Sequence, residues 1–299
     1  MFLKDLIKKG TATISTIYPE REAREMVFVY LERAIGTQKH THIVEPEYEV
    51  SDAEVRKSEE AFQRMASGEP LQYIVGQAYF YGRTFSVNPD VLIPRPETEV
   101  LCREAILRAG ANGHSGLRIL DLCTGSGCIA WTMALECPRA DVTAVDISDG
   151  ALRTAAGQDF KEELGVTGAK IPHFLKSDVL KVEQCCSDVL AKDEADAGFD
   201  IILSNPPYVK DSEKALMRQN VLEHEPHLAL FVPDDDPLKF YTAVADCAVR
   251  LLSPDGFGIV EINEALGPET AQIYLNAGFS KVSIIKDLSE KDRFVMFSR

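Results

Sequence analysis

Asn205-Pro206-Pro207-Tyr208 sets acceptors and an aromatic face where a single planar amino group could meet all of them. Two consecutive prolines carry no backbone N–H, so the local main chain offers carbonyl oxygens without competing donors. The Asn205 amide adds a further acceptor oxygen. An –NH2 group entering such a site finds both of its hydrogens taken. Amide and exocyclic amine nitrogens are poor nucleophiles because their lone pair is delocalised, a resonance that gives the peptide bond a rotation barrier of about 18–20 kcal/mol. Acceptors placed off the amide plane favour a pyramidal nitrogen whose lone pair points at an electrophile. Tyr208 can stack on the planar group, and its π-face also favours a nearby cation. The plainer reading of the same four residues is a rigid Pro-Pro turn after a strand.

The elements that must position this tetrapeptide lie upstream. From Arg118 an apolar run ends at Asp121, a glycine-bearing turn follows through Cys123, Thr124, Gly125, Ser126 and Gly127, and Cys128 to Glu136 reads as a helix before Pro138. Gly125 and Gly127 permit positive φ and close approach of backbone to a ligand. Gly125-x-Gly127-x-x-Ala130 also satisfies the dinucleotide fingerprint, which keeps a nicotinamide or flavin enzyme open. A second strand, Asp141–Asp146, ends in an acid able to take both hydroxyls of a ribose, a group that NAD and S-adenosylmethionine share. A third apolar stretch, His173 to Lys176, ends at Ser177-Asp178, where a carboxylate can accept from an adenine amine or cap a helix, with Val179 beside it as an apolar wall. Phe199–Ser204 is a fourth strand that delivers Asn205 at its carboxyl end, the edge where ligands sit in open α/β sheets. Asp121, Gly125, Gly127, Asp146, Asp178 and Asn205 should therefore converge on one crevice.

This series resembles the class I S-adenosylmethionine-dependent methyltransferases that act on planar amino nitrogens. More narrowly, Gly68-Glu69-Pro70-Leu71-Gln72-Tyr73-Ile74-Val75-Gly76, Leu92-Ile93-Pro94-Arg95-Pro96-Glu97-Thr98-Glu99, Glu225-Pro226-His227-Leu228-Ala229-Leu230 and Asp292-Arg293 resemble the peptide chain release factor N5-glutamine methyltransferases, the HemK/PrmC family. The similarity covers nearly the whole chain. It implies an α/β fold with a Rossmann-like, seven-stranded, mostly parallel sheet whose final strand is antiparallel, preceded by a small N-terminal helical domain. The activity it implies is methyl transfer from S-adenosylmethionine, leaving S-adenosylhomocysteine, to the side-chain amide of the glutamine in the Gly-Gly-Gln loop of bacterial class 1 release factors. Asn205, Pro206, Pro207 and Tyr208 would then hold the substrate amide. Asp121, Cys123, Thr124, Gly125, Ser126, Gly127, Asp146, Asp178, Val179 and Asn205 would hold the cofactor. Cys123 replaces a glycine common at this point of the family's loop, so its backbone is expected to keep negative φ. Lys291 replaces a glycine before Asp292-Arg293, which reads as a turn or a salt bridge. Residues 95–99 are expected beside the site, as a lid or as a helix start whose acids complement the dipole.

The patterning suggests three parts: a helical substrate-recognition domain over 1–76, a hairpin linker over 77–95, and the methyltransferase domain over 96–299. Apolar residues recur at helical spacing in Met26-Val27-Tyr30-Leu31-Ala34 and Val55-Ala61-Phe62-Met65. Pairs Tyr79/Tyr81 and Phe85/Val87 flank a Gly82-Arg83 turn. Seven cysteines without paired spacing and the lack of a signal-like start point to a reducing cytoplasm, and no apolar run is long enough for a membrane span. Cys185-Cys186 falls in an acidic insertion, Glu183 to Gly198, and reads as ordinary loop thiols. His224 and His227 are separated by Pro226 and lack a third ligand, so no metal is expected.

Charge narrows the substrate. The formal net charge is −15; residues 1–80 hold 10 basic and 13 acidic side chains and the remainder holds 22 and 34. The same tetrapeptide occurs in enzymes that methylate adenine N6, whose sites must take a flipped base and a phosphate track. A nucleic-acid binder normally carries a basic stripe. Here basic residues are scattered, while Glu223, Glu225 and Asp234-Asp235-Asp236 follow the motif. The expected partner is a protein rather than nucleic acid or membrane, with adenine-N6 methylation and a ribosomal-protein glutamine as alternatives. The chain is expected to act as a monomer.

Overall fold

A computed structural model describes residues 1–111, 116–191, 198–287 and 290–299. Five helices come first: α1 (Leu3–Ile14), α2 (Glu20–Ile35), α3 (Thr41–Val44), α4 (Asp52–Ala66) and α5 (Leu71–Val75). A hairpin, β1 (Gln77–Phe80) and β2 (Arg83–Ser86), leads to α6 (Pro96–Ala111). Strands and helices then alternate: β3 (Arg118–Leu122), α7 (Cys128–Glu136), β4 (Asp141–Asp146), α8 (Asp149–Ala156), α9 (Lys161–Thr167), β5 (His173–Lys176), α10 (Val182–Ala191) and β6 (Phe199–Ser204). After β6 come β7 (Val209–Lys210), α11 (Gln219–His224), β8 (Phe231–Val232), α12 (Lys239–Leu251), β9 (Leu252–Glu261), α13 (Gly267–Asn276), β10 (Lys281–Lys286) and β11 (Asp292–Ser298).

The chain divides into two compact units, Met1–Gln77 with Met217–Glu225, and Ala78–Leu216 with Pro226–Arg299. In the first, Leu6, Ile14, Val27, Phe62 and Met65 form the centre of a helical core. Ser51 opens α4 with a capping box: its hydroxyl accepts from the Glu54 N–H while the Glu54 carboxylate accepts from the Ser51 N–H, which satisfies two otherwise orphaned donors. Residues 217–225, placed by sequence in the methyltransferase domain, group instead with this unit. Arg218 pairs with Glu22 of α2 at 3.5 Å, and the His224 ring stands beside Gly68, whose φ of +95° only glycine takes without strain.

The second unit is built on a seven-stranded sheet in the order β10-β11-β9-β6-β3-β4-β5. From β9 to β5 all neighbours are parallel, and β11 is antiparallel to both β9 and β10. The central strands are buried almost continuously, as in Ile201-Ile202-Leu203-Ser204, because helices cover both faces of a parallel sheet. Helix α7 is apolar all round and buried from Cys128 to Leu135. The hairpin is no free linker: Phe80 and Phe85 are fully buried and meet edge to face at 5.9 Å in the same core as Leu101 and Trp131. Cys185 and Cys186 are no loop thiols either. They lie on α10, buried with Cys247 of α12 in the core on the other sheet face; residues 192–197 of that insertion lie outside the described residues. Among the described residues no helix is long and apolar enough to cross a membrane.

Gly258 shows how tightly this sheet is filled. It pairs with Phe297 across β9 and β11, and a Cβ at Gly258 would come within 2.1 Å of that ring. The ring cannot retreat, being stacked on Tyr274 at 4.1 Å. Gly258→Ala is expected to cost about 1–3 kcal/mol through overpacking, read as a lower midpoint in urea unfolding with an unchanged slope.

Candidate active site

The loop after β3 is held by its own sequence neighbours. The Thr124 N–H donates to the Val145 carbonyl at 3.0 Å, and the Thr124 hydroxyl donates to Asp121 Oδ2 at 2.6 Å. Gly125 and Gly127 have φ of 56° and 79°. At Gly127 a Cβ would fall 2.9 Å from the Ala155 Cβ, so the loop also needs glycine there for close packing on α8. Cys123 departs from expectation: its φ is +65°, not negative. Backbone hydrogen bonds on the following residues impose the left-handed turn, at a cost of about 1–2 kcal/mol for a residue with a Cβ. Burial pushes the Cys123 thiol well above its usual range, which leaves no thiolate for nucleophilic chemistry.

Asp121 is fully buried, and burial pushes its carboxyl up to about 7, with the nearby Asp146 charge adding to the rise. A carboxyl whose folded pKa is raised contributes stability that is complete below its unfolded pKa and is lost as pH rises through the folded one. The melting temperature is therefore expected to fall from about pH 4 to about pH 7 and to level off above that. Asp121→Asn should flatten that slope in a pH series of thermal melts.

Asp146, at the end of β4, is a double acceptor in place. Its Oδ2 accepts from the Gly125 N–H at 2.8 Å and its Oδ1 from the Ser148 N–H at 2.9 Å. Each oxygen keeps a further lone pair. Burial raises the Asp146 pKa against the pull of these backbone donors, a carboxylate short of water that hydroxyl donors would satisfy. The crevice beside it has a volume of about 1140 Å³ with its open mouth included. Its wall contains Cys123, Thr124, Gly125, Ser126, Asp146, Asp178, Val179, Asn205 and Pro207, together with Pro94, Arg95 and Thr98 from the start of α6. Asp121, Gly127, Pro206 and Tyr208 are not part of the wall. Asp178 does not cap α10; its Oδ1 accepts from the Leu180 N–H at 3.0 Å in a turn before that helix.

At the carboxyl end of β6, Asn205 donates from Nδ2 to the Thr98 hydroxyl at 3.1 Å. Thr98 donates in turn to Glu261 Oε2 at 2.7 Å. The Tyr208 hydroxyl donates to Glu261 Oε1 at 3.1 Å, and Asn263 Nδ2 donates to the Tyr208 carbonyl at 3.2 Å. Sequence reasoning missed Glu261 and Asn263. Both follow an apolar strand end, Gly258-Ile259-Val260, of the same kind that flagged Asp146. Among the described residues no cluster of three or more His, Cys, Asp or Glu could hold a metal ion. Arg293 pairs with Asp287 at 3.1 Å and Glu264 at 3.4 Å, a salt bridge beside the start of β11.

A glycine-walled loop, a strand-end carboxylate with spare lone pairs and an apolar wall at Val179 fit an adenosine with ribose hydroxyls on Asp146. Fold and crevice together define a class I S-adenosylmethionine-dependent methyltransferase. The family model of the PrmC N-terminal domain matches residues 5–76, and that of the methyltransferase small domain matches residues 105–229. The release factor glutamine methyltransferase of Flavobacterium psychrophilum is 35% identical over 297 residues, 99% of this chain and 98% of that protein. Its counterpart from Bacteroides thetaiotaomicron is 36% identical over 96% of each chain. A solved protein-(glutamine-N5) methyltransferase, release factor-specific, from Alicyclobacillus acidocaldarius is 28% identical, with a TM-score of 0.44 over 72% of this chain and 99% of that one. The chain belongs to the release factor glutamine methyltransferase family.

Proposed function

We propose that this enzyme methylates the side-chain amide nitrogen of the glutamine in the Gly-Gly-Gln motif of class 1 release factors, acting as a monomer in the cytoplasm. The observation that carries the reading is the position of Asn205 and Pro207 on the wall of the crevice that holds Asp146. S-adenosylmethionine, when bound, supplies an electrophilic methyl on a sulfonium. Asn205 Oδ1 and the Pro206 carbonyl accept the two N–H groups of the substrate amide. Tyr208 borders the clamp, its ring fixed through its hydroxyl and carbonyl. Their contribution is orientation, which in well-aligned systems is worth about 7–11 kcal/mol. No strong base is required, because an amide that has gained a substituent on nitrogen is acidic enough to lose its proton to water.

The test offers labelled cofactor with purified release factor, ribosomes and DNA in parallel. Label on the release factor that disappears when the glutamine of its Gly-Gly-Gln loop is changed to alanine is the expected result. Label on DNA or a ribosomal protein instead would refute it.

The first unit is proposed to contact the release factor. Ile43 and Val44 on α3 are 70% and 68% exposed, apolar area of the kind a partner covers. Ile43→Glu with Val44→Glu should raise KM for the intact factor about 10-fold and leave a short Gly-Gly-Gln peptide unaffected. Equal effects on both substrates would remove this unit from recognition.

A further inference from the structure

We infer that Glu261 and Thr98 form a directional hydrogen-bond relay that fixes which end of the Asn205 amide faces the substrate nitrogen. The inference rests on Asn205 being the amide clamp. An asparagine side chain is nearly symmetric in shape but opposite in function at its two ends: Oδ1 accepts and Nδ2 donates. Only the oxygen serves a substrate that offers N–H groups. With the amide reversed, two sets of donors would face one another.

Nothing in the tetrapeptide itself chooses between the two. The choice comes from the neighbouring strand. Ser204 of β6 is in register with Val260 of β9, so the next residues along, Asn205 just past β6 and Glu261 at the end of β9, stand side by side. Thr98, in the first turn of α6, stands between them, and both Thr98 and Glu261 are at most 2% exposed. An ionised carboxylate has acceptors only. The Thr98 hydroxyl has a single proton, and Glu261 Oε2 takes it at 2.7 Å. That hydroxyl has only a lone pair left to offer Asn205, so Nδ2 turns towards it at 3.1 Å. Oδ1 is then the end left for the crevice. The other carboxylate oxygen holds the Tyr208 hydroxyl at 3.1 Å, so one buried acid sets both the amide and the ring. Burial raises the Glu261 pKa, and the hydrogen bonds from Thr98 and Tyr208, with the Arg293 charge, pull the other way, towards the ionised form. Thr98 and Glu261 act through Asn205 and Tyr208; they are positioning residues.

The experiment uses the full-length chain with Thr98→Val, Thr98→Ser and the isosteric Glu261→Gln. The Asn205 side-chain NH2 resonance, identified by its absence in Asn205→Ala, is followed by NMR alongside kcat on release factor, S-adenosylhomocysteine affinity and the thermal midpoint. Thr98→Val should shift that resonance, speed its hydrogen exchange and lower kcat about 10–100-fold, with cofactor-product affinity held within about 2-fold. Thr98→Ser should restore both resonance and kcat. Glu261→Gln, which adds donors where only acceptors stood, should move both in the direction of Thr98→Val, and it decides the matter if the valine variant does not fold. A resonance and kcat unmoved in Thr98→Val, or a serine variant as impaired as the valine one, overturns the relay. If wild-type enzyme leaves release factor unlabelled while the resonance still responds, the substrate reading fails and the relay stands.

Discussion

Asn205→Ala should lower turnover on intact release factor by about 10²–10³-fold, the range seen when a preorganised group that acts at the transition state is removed. Binding of S-adenosylhomocysteine, measured by calorimetry, should change little. The asymmetry follows from where Asn205 sits. Asp146, the carboxylate proposed to take the ribose, is held by Gly125 and Ser148, not by Asn205, whose own amide is tied to Thr98. Alanine therefore removes the acceptor for the substrate amide without loosening the loop on which the cofactor rests. Loss of substrate orientation appears in kcat when the missing contact tightens only as the nitrogen pyramidalises. A variant with near-normal kcat on the whole factor would sink the clamp mechanism.

The second large effect is the mirror image. Asp146→Ala and Asp146→Asn should both weaken S-adenosylhomocysteine by about 10²–10⁴-fold, since hydrogen bonds to a charged group are worth about 1.5–3 kcal/mol each and two ribose hydroxyls are served. The asparagine variant discriminates most. Both oxygens of Asp146 already accept a backbone N–H, from Gly125 and Ser148. Asparagine must present its NH2 to one of these donors, so it loses a ribose contact and the anchor of the loop together. Calorimetry that finds Asp146→Asn close to wild type would remove Asp146 from the ribose. Because burial raises the Asp146 pKa, cofactor affinity is also expected to fall as pH drops through that raised value.

Much of this was legible before any coordinates, and the reasons are specific. The strands of a parallel sheet are buried on both faces, so β3, β4 and β6 read as apolar runs, and their polar last residues mark the ligand edge. Asp146 and Asn205 were visible for that reason. Thr98 was expected beside the site with the rest of residues 95–99, but Glu261 was not, because its contact with Thr98 joins residues 163 positions apart and a sequence shows no pairing at that separation. Cys123 misled because the local preference of a side chain was weighed against nothing; the hydrogen bonds of Thr124 and Gly125 to β4 decide its φ. Cys185 and Cys186 misled in another way. Acidic neighbours such as Glu183 and Asp188 occupy the solvent face of α10, and this hid the buried face that packs on α12.

The nine residues Met217–Glu225, which count with the first unit, bear on the order in which the chain can fold as it is made. Domains generally form as units from the amino terminus during synthesis. Here the ribosome must have released residue 225 before the helical unit has all its parts, and by then β3, β4, β5 and β6 have already emerged. The first unit therefore has all its parts only after four strands of the large sheet have emerged, though still ahead of β9, β10 and β11. For the same reason a cut after residue 76 separates the helices from a piece of their own unit, and any transplant of that unit has to carry two stretches of chain.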